Sequence, residues 1–336
     1  MGTKITSILL MVASVCLLAV GAAYAQRIMD PIKSNDSEVQ RVAALYQKKD
    51  YKAAETLLAE ILKKDGKNAD AHYALALVVE KSGNVDGAIK EVNTAIKLNP
   101  KSAEYYYILS RLNFLQIGNA NVFRKMALSS SGKEALLEAL RIDPNHKAAI
   151  ISLANFCYQA PSIAGGDIGK AKELANSLVK IDELEGRTLL CQVYNAEGNY
   201  PKAIEEAKKL MGTHEYAGRR LLTQIYRKQA DNASAEREFK ALEQKFGDNP
   251  DNFEFYNDYG YFLLGQGRID EAIDKFKKQV ALAPKNANAH DSLGEGYYKK
   301  GMLKESLAEY SKALEIDPTL KSAKDKVAEI KGKRSM

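Results

Sequence analysis

One phrase recurs along this 336-residue chain and narrows what it can become. It reads A-x-x-x-[FY]-x-x-A-[LI]-x-[LI]-x-P. Near the end it is spelled Ala272, Phe276, Gln279, Val280, Leu282, Pro284, and 34 residues later Ser306, Tyr310, Ala313, Leu314, Ile316, Pro318. Ala88, Val92, Ala95, Ile96, Leu98 and Pro100 form an early copy. A fixed period of this length marks supersecondary units that stack, each burying its apolar side against the next. A chain built this way can be long without dividing into globular domains, because each unit touches only its neighbours.

Inside the units, apolar residues step by three and four, as in Leu75 and Val79, Tyr259 and Leu263, or Leu293 and Tyr297. That spacing puts them on one side of a helix. Prolines after the second helices stop them, and no segment alternates polar and apolar for long enough to be a strand. The fold class is therefore all-α. A turn divides each unit into two helices, and eight helix-turn-helix units result: 35–68, 69–102, 103–146, 147–183, 184–215, 216–250, 253–286 and 287–320. Glycine supplies the turn at Gly83, Gly198, Gly267 and Gly301; Lys49-Asp50-Tyr51 and Ala230-Asp231-Asn232 stand in the same place without it. The third unit is overlong around 117–131, which predicts an elongated helix pair or a bulged loop. The fourth carries Pro161-Ser162-Ile163-Ala164-Gly165 as an insertion, and Asp167 then caps the next helix. Gly165-Gly166 could form an anion-binding nest, but the lysine-serine pair of a phosphate loop is missing, so an ordinary loop is expected. Residues 321–336 read as a capping helix and basic tail, with Leu320, Ala323, Val327 and Ile330 as an apolar stripe for the last unit.

The beginning has another character. Lys4, an apolar run from Ile5 to Val20 and Ala23-Tyr24-Ala25 predict a secretory signal peptide over 1–25, cleaved before Gln26. Residues 26–34 are expected to be a flexible lead-in. Export implies a periplasmic or secreted protein with no membrane span after cleavage. Net charge is +6, and lysines alternate with acids as on solvated helix faces, which gives no case for nucleic acid. Cys157 and Cys191 lie in neighbouring units. They could pair in an oxidising compartment; adjacent helix axes ~8–10 Å apart favour two buried thiols instead.

The chain resembles the tetratricopeptide repeat family over 35–320. The eighth unit carries Leu293, Gly294, Tyr297, Gly301, Tyr310, Ala313 and Pro318 where that family has its packing residues, with Ser306 in place of an alanine. The seventh carries Tyr256, Gly260, Gly267, Ala272, Phe276 and Pro284. Gly260 and Gly294 are expected to face Ala272 and Ser306, so that the two helices can approach. The resemblance implies a right-handed superhelical solenoid of eight repeats plus a C-terminal capping helix. It also implies that first helices line a concave groove that holds a peptide or protein segment.

Carried over unit by unit, the groove residues are Tyr73 and Leu77; Tyr107, Arg111 and Phe114; Asn155 and Tyr158; Gln192 and Asn195; Arg220, Gln224 and Arg227; Asn257 and Tyr261; Asp291, Glu295 and Tyr298. The aromatic early part suits apolar anchors. The amides of Asn155, Gln192, Asn195, Gln224 and Asn257 donate and accept, as an extended peptide backbone requires. Arg220 and Arg227 could fork onto a carboxylate. The competing reading makes all of these solvated helix positions. No H-E-x-x-H, C-x-x-C, G-x-S-x-G or G-x-G-x-x-G is present. Of the four histidines, His72 and His290 fall on a packing slot of the family. The expectation is a non-catalytic exported adaptor without metal or cofactor, binding a protein or peptide segment in cell-envelope assembly or secretion. The alternative is an accessory subunit of a periplasmic solute-uptake system that holds a small ligand or a binding protein.

Overall fold

The computed structural model describes residues 31–333; the expected signal peptide, the first part of the lead-in and the end of the basic tail lie outside them. The described residues fall into two compact units, divided at Glu206. The first contains α1 (Ser37–Gln47), α2 (Tyr51–Lys64), α3 (Ala69–Lys81), α4 (Val85–Leu98), α5 (Ala103–Gln116), α6 (Val122–Ile142), α7 (Lys147–Gln159), α8 (Ile168–Ile181), α9 (Glu183–Glu197) and the start of α10 (Tyr200–Met211). The second contains the rest of α10, α11 (Glu215–Lys228), α12 (Asn232–Phe246), α13 (Glu254–Gly265), α14 (Ile269–Leu282), α15 (Ala287–Lys299), α16 (Leu303–Ile316) and α17 (Lys321–Lys333). These seventeen helices pack as consecutive pairs plus a terminal one, and no strand occurs among the described residues.

Local chemistry sets the ends of the helices. Side chains of Asp36, Asp50, Asn68, Asn84, Asn121, Asp167, Asp182, Asp231 and Asn286 each accept a backbone N–H from the first turn they precede. Such caps satisfy donors the helix itself cannot pair. Between the two helices of every pair except α5 and α6 the chain turns through a left-handed residue. Gly267 (φ +75°) and Gly301 (φ +81°) do so freely, whereas Lys49 (φ +61°) and Ala230 (φ +58°) adopt the same conformation with a side chain. A Cβ there costs about 1–2 kcal/mol.

The overlong third unit resolves into a 3-10 turn at Ile117–Asn119 followed by the 21-residue α6, so the elongated helix is the correct alternative. Its mid-helix Gly132 admits the Phe114 ring, because a Cβ would sit 2.7 Å from that ring. The insertion of the fourth unit forms a second 3-10 turn, Ser162–Ala164. The N–H groups of Gly165 and Gly166 donate to Ser162 and Pro161 carbonyls, which leaves no nest for an anion.

The expected facing of Gly294 and Ser306 is present, but the space beside both first-helix glycines is taken by aromatic rings. The space beside Gly260 is filled by the Phe276 ring rather than by Ala272. At Gly294 the Tyr310 ring lies 3.0 Å from where a Cβ would be, while Ser306 Oγ donates to the Gly294 carbonyl at 2.8 Å. The glycine is thus a socket for an aromatic ring, and the helix approach follows from seating it.

A polar pairing between the two helices of a pair also recurs, at a constant separation of 19 residues. His72 and His290 set Nδ1 2.7 Å from Glu91 and Glu309. Arg187 and Arg219 occupy the same slot and donate from Nη1 at 2.6 Å to Glu206 and Glu238. The two histidines therefore belong to the packing, as the family slot suggested. In the second unit Glu243 of α12 also pairs with Lys275 of α14 at 2.6 Å. Burial works to raise its carboxyl, but hydrogen bonds from Lys275 and Lys278 outweigh that and hold it low. Ala323 and Ile330 of α17 are fully buried, with Leu320 and Val327 partly covered.

Two substitutions separate socket from turn. Gly294→Leu should destabilise the chain by roughly 1–3 kcal/mol, as overpacking does. Ala230→Gly should stabilise it by a few tenths to about 1 kcal/mol, by relieving the left-handed strain net of glycine's entropy. Urea denaturation followed by helical circular dichroism measures both; a stability unchanged or raised by Gly294→Leu, or lowered by Ala230→Gly, would reject the respective placement.

Candidate functional site

In the first unit the early part of the expected groove is closed. Tyr73 is fully buried and stacks on Tyr105 with centroids 5.1 Å apart. Leu77 and Phe114 are fully buried, and Phe114 stacks on Phe156 at 5.8 Å. Tyr107 is buried with its ring 5.4 Å from His146. Arg111 is also buried, and both its terminal nitrogens donate to the two carboxylate oxygens of Glu80, one at 2.7 Å. These residues were expected on an open wall. They are instead buried, and Tyr73, Tyr107, Arg111 and Phe114 each meet a side chain from beyond their own helix pair.

That preceding segment is a second correction. Residues 31–34 are not a free lead-in. Ile32 is 7% exposed and joins the apolar cluster that contains Tyr73 and Tyr105. The Lys33 N–H donates to Tyr73 Oη at 3.3 Å, and Lys33 Nζ donates to Glu104 Oε2 at 2.8 Å. Ser34 Oγ donates to Asp70, as does Tyr105 Oη. His146 accepts the Ala149 N–H at Nδ1, so its Nε2 carries the proton toward Glu104 Oε2 at 3.2 Å. Burial works to raise the Glu104 carboxyl, but the hydrogen bonds from His146 and Lys33 outweigh it and hold the group low. Sequence reading missed Asp70, Glu104 and Tyr105. Only the shared place of Asp70 and Glu104 near the starts of consecutive first helices hinted at a paired acidic site.

Further along the same unit the wall is open. On α7, Asn155 and Tyr158 are partly exposed; on the adjacent α9, Gln192 is exposed and Asn195 partly so. The Asn155 Oδ1 atom and, one turn on, the Gln159 Oε1 atom are buried without a hydrogen-bond partner, while Gln159 Nε2 donates to Tyr158 Oη at 3.1 Å. Burial pushes the Tyr158 phenol up, so it stays a neutral donor. Two amide oxygens on one side of a helix that lack donors are uncommon in a folded interior and call for a reason.

In the second unit several expected contacts are already taken internally. Arg220 of α11 bridges to Glu254 at 3.2 Å and Asp258 at 2.9 Å on α13, so its fork is filled by the chain's own carboxylates. Asn257 accepts from Ser292 Oγ at 2.7 Å. Asp291 accepts from Ser322 of α17, Glu295 accepts from Tyr310, and Tyr298 donates to Glu329 beneath Lys326. Tyr261 lies edge-on to Phe276 and remains exposed. Gln224 and Arg227 project from α11 into solvent. Among the described residues no group of His, Cys, Asp and Glu is placed to hold a metal ion, and no helix is long and apolar enough to cross a membrane.

Residues 45–112, 221–287 and 287–320 match tetratricopeptide repeat models, and together these spans cover half of the chain. The chain belongs to the tetratricopeptide repeat family. A relative of the same family, the chloroplast repeat-domain protein PYG7 of Arabidopsis thaliana, is 31% identical over 85 residues. That match spans 25% of this chain and 28% of the relative. A tetratricopeptide repeat protein from Parabacteroides merdae superposes with a TM-score of 0.53 at 14% identity, covering 77% of this chain and 97% of that one. PilF of Pseudomonas aeruginosa gives 0.47 at 18% identity, covering 66% and 95%. At such identities the likeness concerns the fold alone.

Neither cysteine of the repeats is bonded: Cys157 and Cys191 are buried free thiols. Burial pushes the Cys191 thiol up to about 12, and its S–H donates to the Ala203 carbonyl at 3.3 Å. Only the thiolate is nucleophilic. An alkylating reagent at neutral pH should therefore leave both residues unmodified in the native chain and label both in denaturant. Mass spectrometry of digested protein reads this, and rapid native labelling of either would contradict the burial.

Proposed function

We propose that this tetratricopeptide repeat protein is a non-catalytic adaptor that holds an extended protein segment against the first helices of its middle repeats. The observation that carries the reading is the row of accessible polar side chains on adjacent first helices: partly exposed Asn155 and Tyr158 on α7, exposed Gln192 and partly exposed Asn195 on α9. Side-chain amides both donate and accept, as the N–H and C=O groups of an extended backbone require. The repeat fold supplies the rigid support such capture needs.

Export belongs to the same proposal. The basic residue, apolar run and A-x-A site of residues 1–25 support a cleaved signal, and with it a periplasmic or secreted location and a partner in the cell envelope or secretion machinery. Processing is read by the mass of the protein purified from its own cells: a chain starting at Gln26 agrees, and a chain starting at Met1 opposes.

The binding face is tested by changing Asn155, Gln192 and Asn195 together to Ala. Affinity capture from the cell's envelope fraction with wild type and variant should show at least one protein that wild type retains and the variant loses, at equal helicity. An identical retained set for two equally folded proteins would reject the face.

A further inference from the structure

The segment ahead of α1 contacts the wrong repeats for a simple entry strand. A chain entering α1 would pack on α1 and α2. Ser34 does touch α1, accepting from Gln40 Nε2 at its carbonyl, but residues 32–34 also reach 36 to 71 positions along the sequence, to Asp70 and Tyr73 of α3 and Glu104 of α5. Each of these belongs to a first helix, the element whose open side holds the amides farther along. The segment is non-helical, buries an aliphatic side chain, donates a backbone N–H and places an amine on a carboxylate. Those are the contacts an extended peptide ligand would make.

The fit is also incomplete. Glu104 takes Lys33 and His146 on one oxygen, and its other oxygen, Oε1, is buried with no hydrogen-bond partner. The Lys33 side chain remains 56% exposed while Glu104 is 13% exposed. A lysine amine offers one contact where a guanidinium would offer a fork to both oxygens. Lys33 is mostly exposed and holds only one of the two oxygens, so a segment that engages both can displace it.

We propose that Ile32, Lys33 and Ser34 are a built-in occupant of a peptide subsite formed by Asp70, Tyr73, Glu104 and Tyr105. An incoming extended segment with an aliphatic residue followed by a basic one, arginine above lysine, takes their place. The inference rests on the first-helix side being the working surface. It adds that one end of that surface is acidic, aromatic and closed by the chain itself.

Fluorescence anisotropy tests this with a labelled hexapeptide of sequence Pro-Ile-Lys-Ser-Asn-Asp, copied from residues 31–36, and an arginine version of it. The full chain is compared with its Ile32→Ser/Lys33→Ser variant. The peptide should bind the variant at least about tenfold more tightly than wild type, because a tethered competitor acts at about millimolar effective concentration. Adding Glu104→Gln to the variant should abolish that binding, and the arginine peptide should bind more tightly than the lysine one. No binding to the variant, equal binding to variant and wild type, or indifference to Glu104 would overturn the proposal. An equal or reversed order of the two peptides would overturn Glu104 as anchor. If the double variant loses helicity, Lys33→Ala, which removes only a half-exposed amine, carries the same comparison. Failure here while envelope capture still depends on Asn155, Gln192 and Asn195 would remove the self-occupancy and leave the adaptor reading standing.

Discussion

A pair of helices this short cannot bury its apolar side alone, and the neighbour that covers it decides nearly everything else about the chain. What gives each pair a fixed face to be covered is its own seam, where rings sit in sockets. Phe276 sits where Gly260 has no side chain, Tyr310 where Gly294 has none, and Phe114 against Gly132. Close packing of this kind is intolerant of added volume. It fixes the approach of the helices and hence the line of first-helix residues left on the open side. At the end of the second unit the same demand is met by α17, whose Ala323 and Ile330 seal what the last pair would expose.

Most of the fold could be read in the sequence because its signals are local and repeated. The 34-residue period, the prolines and the turn residues each report a boundary, and successive units reinforce one another. What escaped depended on contacts between repeats. Tyr73, Tyr107 and Arg111 have the residue types of a recognition wall, yet each is buried by a partner that no local pattern names, whether Tyr105, His146 or Glu80. The same holds for Ile32, whose burial depends on repeats well beyond it. The amides of α7 and α9 were legible as candidates, but the donor-less oxygens that single out Asn155 and Gln159 become visible only when every neighbour is in place.

The two kinds of first-helix surface in the first unit differ in what they ask of a ligand. Around Asp70 and Glu104 the demands are charge and an apolar side chain, and the chain supplies both itself. Around Asn155 and Gln192 the demand is for backbone hydrogen bonds, which carry little sequence preference. A protein segment crossing both would gain register from the first and length from the second. The second unit spends more of its polar side chains internally, as at Arg220, Asn257 and Tyr298, and those contacts tie first helices to one another and to α17.

The most direct measurement is site-specific photo-crosslinking in the protein's own cells. A photoreactive residue at Gln192, exposed on first helix α9, is compared with one at Glu173, exposed on second helix α8. The account predicts a discrete covalent adduct with a protein partner from position 192 and none from position 173. Adducts of equal yield from both positions, or from 173 alone, would contradict the claim that first helices carry the working surface.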